Sequence, residues 1–350
     1  MAPEGASGDE SQQDQPQDEP QNQPQPAAEG PRAELERAIL REAPTLNALE
    51  VAATTGLDVD ALRRLWRALG FPEHGLEVAF TEGDTDAVST LSGLVDSGVI
   101  NFDMAVNLTR ALGQTMARLA DWEVATLAHR VEELEAGEQA MGSRRAQALR
   151  LVEEMNESFE GLLVYAWRRH LAAAVTRLEA LGASEDDLHT ANVTVGFADI
   201  VSFTALSNEI THARIGELVE VFESRCADVV AAHRGRVIKS IGDSVLFVNP
   251  DPISAFDTAA GIINVIGRDS RMPDVRLGLA SGSVVMRLGD VFGPPVNLAS
   301  RLTNVARRNR IIIDAATAER LPADQFETRR LPARPVRGFG LLEPVAVRRH

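Results

Sequence analysis

A chain of 350 residues is long enough for two domains with separate cores, and its 44% hydrophobic content is that of an ordinary globular protein. The net charge of −16 disfavours nucleic-acid binding through a broad electrostatic footprint, while leaving room for a local basic patch. The one cysteine, Cys226, excludes an internal disulfide and fits a reducing compartment; its helical setting, VFESRCADVV, predicts a buried, inert thiol. No apolar run reaches the roughly 18 residues of a membrane span, and the N-terminus lacks the basic start and apolar core of a secretory signal. A soluble, cytoplasmic protein is therefore expected.

Residues 1–31 form an acidic Gln/Pro-rich tail, its first thirty positions holding seven Gln, five Pro and seven acidic residues without Lys or Arg. Such a segment buries too little apolar surface to offset its ordering entropy and is expected to be disordered. From 32 to 182, ELERAILREA, LNALEVAATTG, VDALRRLWRALG and the stretch from Met104 through Leu181 repeat apolar residues at spacings of three and four. Gly56, Gly70, Gly98, Gly137 and Gly182 punctuate this pattern as loop or C-cap signals. The prediction is an all-α domain of seven or eight helices that ends in a long connector over 141–181.

Inside that domain, TLNALEVAATTGLDVDALRRLWRALGFP has the form of a helix-turn-helix with Arg63, Arg64 and Arg67 on its second helix. Glu50, Asp58, Asp60 and Glu73 nearly cancel those arginines, and because phosphate contacts dominate DNA affinity, DNA binding is disfavoured.

A polar linker, 183–191, leads into a different texture. NVTVGFADIV, GRVIKSIG, SVLFVNP, VRLGLASGSVV and RIIID are short β-branched runs, alternating with helical segments around 211–232, 252–268 and 296–308. An α/β sheet covered on one side is expected over 192–350, with a tight IGDS turn between two of its strands.

Seven polar positions stand out in this half: Asp199 in GFADIVSFT, Lys239 and Asp243 in VIKSIGDSVLF, Asp290, Asn297 and Arg301 in GDVFGPPVNLASR, and Arg337 in PVRGFG. Taken singly each has an ordinary structural explanation. A Gly-Asp turn closes hairpins, an Asp after a strand caps a helix, a strand Lys snorkels, and an Asn and Arg four residues apart make a solvated helix face. Two carboxylates at the exits of apolar strands also suit a hard divalent cation that holds phosphate oxygens.

As a set, these motifs resemble the catalytic signature of class III nucleotidyl cyclases over about residues 190–349. The resemblance implies a ferredoxin-like, palm-type catalytic domain behind an all-α regulatory domain. It implies that Asp199 and Asp243, with the Ile200 carbonyl, hold two divalent cations, Mg2+ or Mn2+, and that Phe203 and Thr204 present backbone N–H groups to phosphates. Lys239 and Asp290 correspond to the residues that read adenine, which offers N1 as acceptor and its amino group as donor; family guanylyl cyclases carry Glu and a small polar residue there. Asn297 then positions the ribose, Arg301 stabilises charge on the α-phosphate, and Arg337 stands where relatives often place a Lys against the terminal phosphates. The implied reaction is ATP to 3′,5′-cyclic AMP and pyrophosphate, with no side-chain general base.

In the family the metal-binding aspartates come from one catalytic domain and the base-reading pair, the Asn and the Arg from its partner, which implies a head-to-tail homodimer with two composite sites. The helical half is similar to the regulatory domain of soluble mycobacterial-type adenylyl cyclases, one of which senses pH. This implies a proton as regulator, with His170 and His189 flanking the connector as titrating groups, while an apolar helical bundle can also hold a lipid-like ligand. Two other readings compete. A diguanylate cyclase would carry a GG(D/E)EF hairpin where IGDSVLF stands. A degenerate cyclase acting as a nucleotide-regulated or DNA-binding protein would have lost some of Asp199, Asp243, Asn297 or Arg301.

Overall fold

The computed structural model describes residues 31–136, 143–180, 190–287 and 289–350, so the disorder expected of the tail and the linker over 183–189 lie outside the described residues. The chain divides into two compact units, one ending at Trp167 and the other beginning at Arg168.

The first unit contains α1 (Pro31–Leu40), α2 (Ala48–Thr55), α3 (Val59–Leu69), α4 (Glu82–Asp96) and α5 (Phe102–Ala136), and α6 (Arg144–Ala180) runs from it into the second. Local chemistry sets the short helices. Asn47 and Glu50 form a capping box at α2, Thr81 and Asp84 form another at α4, and Asp58 caps α3. Gly56 and Gly70 end α2 and α3 in the left-handed conformation. Among the described residues the region holds six helices, fewer than the seven or eight expected, because α5 and α6 run unbroken for 35 and 37 residues. Gly113, inside α5, does not break it; a methyl group there would overlap the Leu69 backbone, so this glycine lets α3 and α5 pack closely.

The core of this unit gathers Val51, Leu62, Trp66, Phe80 and Val88, and the Trp66 indole N–H donates to the Pro72 carbonyl at 2.9 Å. α2 and α3 do form a helix-turn-helix. Its arginines are occupied: Arg63 by Asp60, Arg64 by Asp103 and Arg67 by Glu73.

The second unit continues with β1 (Thr190–Ile200), α7 (Phe203–Ser207), α8 (His212–Ala232), β2 (Arg236–Ile241), β3 (Ser244–Asn249), α9 (Pro252–Gly267), β4 (Val275–Arg287), β5 (Asp290–Phe292), α10 (Pro294–Val305), β6 (Ile311–Ile313), α11 (Ala315–Glu319), β7 (Phe326–Arg330), β8 (Arg334–Val336), β9 (Gly340–Leu342) and β10 (Val345–Arg349). The main sheet has the order β2-β3-β1-β4-β6-β10-β7, with β5 paired to β4; β8 and β9 form a separate hairpin. β1 to β4 pair antiparallel, and with α8 and α9 as connections they make the βαββαβ arrangement of a ferredoxin-like fold.

Coverage of the sheet differs from the expectation. Ala198 and Ile200 of β1 pack with Phe222 and Cys226 of α8 and Ile262 of α9, while Val195 and Phe197 pack on the opposite face with Ala299 and Leu302 of α10. Both faces are therefore covered, and the nearly continuous apolar run of β1 is the sequence trace of that two-sided burial. Cys226 is fully buried, and burial pushes its thiol up, away from reactivity.

α10 lies directly on β4 because Gly278 has no side chain; a methyl there would overlap the Thr303 amide nitrogen and the Ala299 carbonyl. Gly278→Ala is accordingly expected to cost about 1–3 kcal/mol of stability. Denaturant unfolding of full-length protein checks this, and an unchanged midpoint would show that α10 is free to shift.

Candidate active site

β1 ends in a charge. Asp199 is only 8% exposed, and the strand register sets it opposite Ser244 of β3 on one side and Arg276 of β4 on the other. One carboxylate oxygen accepts from Ser244 Oγ at 2.5 Å, and the other accepts from Arg276 Nε at 2.6 Å. Asp243 occupies the two-residue turn between β2 and β3, and its carbonyl accepts the Ile200 N–H at 3.1 Å, which ties the turn to the end of β1. Burial, and then the negative charge of Asp199, hold the Asp243 carboxyl above the usual carboxylate range, with Arg276 pulling the other way.

Two neighbouring carboxylates attract a cation, and all-oxygen donors favour Mg2+ or Mn2+ over softer metals. Among the described residues no group of three or more His, Cys, Asp or Glu could hold a metal ion. An ion here would rest on the Asp199–Asp243 pair, completed by backbone and substrate oxygens.

Immediately after this strand Ser202 adopts a left-handed φ of 61°, and α7 starts at Phe203 without a side-chain cap. The N–H groups of Phe203 and Thr204 thus open a helix that begins beside the carboxylate pair.

Lys239 lies on β2 just after a register shift between Val237 and Lys239, an irregularity of the sort that re-aims side chains near active sites. Its Nζ meets Asp290 Oδ2 at 2.5 Å, and Asp290 Oδ1 accepts the Val291 N–H at 2.8 Å. The backbone bond fixes the carboxylate, so a donor and an acceptor stand side by side.

Asn297 and Arg301, one turn apart on α10, share a cleft of about 840 Å³ with Gly293, Pro294 and the β8–β9 turn residues Arg337, Gly338 and Phe339. The fold thus brings Arg337 to Asn297 and Arg301 although it lies 36 residues beyond Arg301. The carboxylate pair does not line this cleft. Asp199 is opposite Arg276, whereas Gly282, on which Pro295 rests, is opposite Val193, six residues back along β1. At strand spacing that is about 20 Å.

Ser244 and Arg276 escaped the sequence reading. Ser244 simply follows the Gly-Asp turn, and Arg276 stood inside VRLGLASG as one polar residue in an apolar strand. The signal was that a charged side chain in such a strand needs a partner. Of the two histidines, His170 is exposed on α6 and His189 lies outside the described residues.

The sequence matches two family models: the adenylate cyclase regulatory domain over residues 33–171 and the adenylate and guanylate cyclase catalytic domain over residues 186–347. It is 36% identical over 337 residues to an adenylate cyclase of Streptomyces coelicolor, covering 89% of this chain and 87% of the relative. An adenylate cyclase of Streptomyces griseus is 38% identical over 287 residues, covering 82% of this chain and 71% of the relative. A Mycobacterium tuberculosis protein named as a pH-sensitive adenylate cyclase is 29% identical over 302 residues, or 84% of this chain and 75% of that protein. The second unit is thus a nucleotidyl cyclase catalytic domain of class III. The chain belongs to the adenylate cyclases in which such a domain follows a helical regulatory domain. Among the described residues no helix is long and apolar enough to cross a membrane.

Because the Asp243 carboxyl titrates above the usual range, protons compete with a cation there at a higher pH than at an ordinary aspartate. Calorimetric Mn2+ binding should weaken on acidification through that raised value, and Asp243→Asn should bind weakly at every pH. Wild-type affinity that stays constant down to the ordinary carboxylate range would contradict the assignment.

Proposed function

We propose that the protein converts ATP to 3′,5′-cyclic AMP and pyrophosphate at composite sites of a head-to-tail homodimer, under control of its helical unit. The observation that carries this reading is the division of the signature residues into two groups on one sheet. The carboxylate pair sits at one end of β1, and the cleft of Asn297, Arg301 and Arg337 begins about 20 Å along it. Neither group alone spans a nucleotide's base, ribose and triphosphate, and a second copy would supply to each the half it lacks. The relatives named adenylate cyclase support the same reaction.

Asp199 and Asp243, with the Ile200 carbonyl, would hold two divalent cations, which when bound acidify a ribose hydroxyl and offset the charge of the triphosphate. The ribose O3′ bonds to the α-phosphorus, the bond from that phosphorus to the bridging oxygen breaks, and pyrophosphate leaves while the hydroxyl proton passes to solvent. Arg301 stabilises the charge that builds on the α-phosphate, Asn297 orients the ribose, and Arg337 binds the outer phosphates. The N–H groups of Phe203 and Thr204 bind phosphate oxygens beside the carboxylate pair.

Lys239 donates to adenine N1 while Asp290 accepts from the 6-amino group. Guanine reverses that edge and would set donor against donor and acceptor against acceptor, so ATP is the substrate. The helical unit answers to pH, with His170 and His189 as the regulatory residues, in line with the name of the mycobacterial relative. An unchanged pH–activity profile in the His170→Ala, His189→Ala double variant would remove that part of the reading.

The test is cyclic AMP formation from ATP with Mn2+ or Mg2+, using Asp243→Ala and Arg301→Ala separately and mixed. Each variant alone should be inactive. Their mixture should recover about a quarter of wild-type activity, since half the dimers are mixed and each carries one intact site. Wild-type protein without product would sink the cyclase reading; active wild-type with no recovery on mixing would sink the composite site alone.

A further inference from the structure

Asp199 belongs to a row of side chains that crosses three neighbouring strands and reaches the residue just before a fourth. By register Ser244 of β3 faces Asp199 of β1, and Asp199 faces Arg276 of β4. β6 runs parallel to β4 with Leu277 opposite Ile311, and the carbonyl of Arg310, the residue just before β6, accepts the Leu277 N–H, so its backbone lies beside Arg276. Alternation gives the side of Arg276: Val275 and Leu277 face the core beneath α8 and α9, so Arg276 projects to the other face, as Asp199 does. Ile311 and Ile313 face that core too, and the same alternation carried one residue back assigns Arg310 to the face of Arg276. The row therefore reads hydroxyl, carboxylate, guanidinium, guanidinium.

The two arginines differ in one respect. Arg276 is half-buried and its charge is offset by Asp199 at 2.6 Å. Arg310 is exposed, and among the described residues no carboxylate pairs with it. Adjacent strands hold their backbones about 4.8 Å apart, and like charges placed opposite one another there are unfavourable.

The loop nevertheless fixes Arg310 firmly. Asn309 has a φ of 54°, donates its N–H to the Val275 carbonyl at 2.7 Å and its side-chain amide to Asp274 at 2.7 Å, and accepts the Val275 N–H. The Arg310 carbonyl in turn accepts the Leu277 N–H at 3.1 Å. In a chain of net charge −16, an exposed guanidinium without a carboxylate partner, on a backbone held beside Arg276, is a binding group for an anion that arrives with cations.

We infer that Arg310 is a further phosphate-binding residue of this site, pairing with Arg276 to receive the terminal phosphates of the nucleotide and then the pyrophosphate product. The inference rests on the cyclase reading for the identity of the anion. With Asp199 engaged by a cation, Arg276 would lose its present partner, and a polyphosphate would relieve the repulsion between the two neighbouring guanidiniums.

Full-length Arg310→Gln, Arg310→Lys and Arg307→Gln test it, with Arg307 as an exposed neighbour outside the row. The readouts are pyrophosphate binding by calorimetry at saturating Mg2+ and the separate kcat and KM for ATP. Arg310→Gln should raise both the pyrophosphate Kd and the KM about tenfold, the loss of one charge-assisted hydrogen bond, with a much smaller change in kcat. Arg310→Lys should recover most of the affinity, and Arg307→Gln should resemble wild type. Unchanged Kd and KM in Arg310→Gln would overturn the inference, as would a fall in kcat alone. If Arg310→Gln does not fold, a normal Kd in Arg307→Gln with a modestly raised one in Arg310→Lys still supports it, and equal values overturn it. Wild-type protein that binds pyrophosphate but makes no cyclic AMP would fail the cyclase reading and leave the Arg310 binding role standing.

Discussion

A carboxylate at the end of a strand buried on both faces has to be compensated, and most of the catalytic unit follows from how Asp199 is. Desolvation of an unpaired charge at 8% exposure would cost several kcal/mol, so partners are obligatory. Ser244 and Arg276 supply them through the register of β3 and β4, and the Asp243 turn is bonded to the adjoining Ile200 amide. Asp243 adds a second carboxylate whose proton affinity is raised by burial first and then by the charge of Asp199. The neighbouring negative charge that favours a proton there favours a divalent cation as well.

Much of this architecture is written locally. Caps at Asn47, Asp58 and Thr81, and left-handed glycines at 56 and 70, mark helix ends that can be read from a few residues. The strand-turn-strand at IGDS and the helices α8, α9 and α10 are legible for the same reason. What failed was decided at long range. The expected helix count is too high because α5 and α6 run unbroken for 35 and 37 residues, and inside α5 Gly113 packs against the Leu69 backbone. The second covered face of the sheet was missed because α10 presents small residues such as Ala299 and packs closely only through Gly278.

The site divides along the same line. Asp199, Lys239, Asp243, Asp290, Asn297 and Arg301 stand in dense motifs, so their identities are available before any fold is. Arg276 stands in unremarkable strand sequence and Arg310 just before β6, and they become visible only when the strands around them are set in register. Arg337 is intermediate: its motif is short, but the β8–β9 turn delivers it to the cleft of Asn297 and Arg301. Lys239 and Asp243 illustrate how little sequence distance says about function. Four residues apart, one is aimed at Asp290 after the irregularity in β2, and the other sits in the turn bonded to the end of β1.

The direct contact of Lys239 with Asp290 bears on how a base is chosen. The pair is partly exposed, with side-chain exposures of 38% and 26%, so its own contribution to stability is small and parting it costs little. Under the proposed reading, a base that enters would have to replace the contact, because the two charges lose water as it covers them. Adenine would do so, donating to Asp290 and accepting from Lys239, which would leave both groups paired. Guanine would leave both facing like groups under the same desolvation, a penalty of the kind that gives large discrimination where a missing favourable contact gives little. The Val291 N–H strengthens the choice by holding the Asp290 carboxylate still, so that it cannot rotate to accommodate the wrong edge.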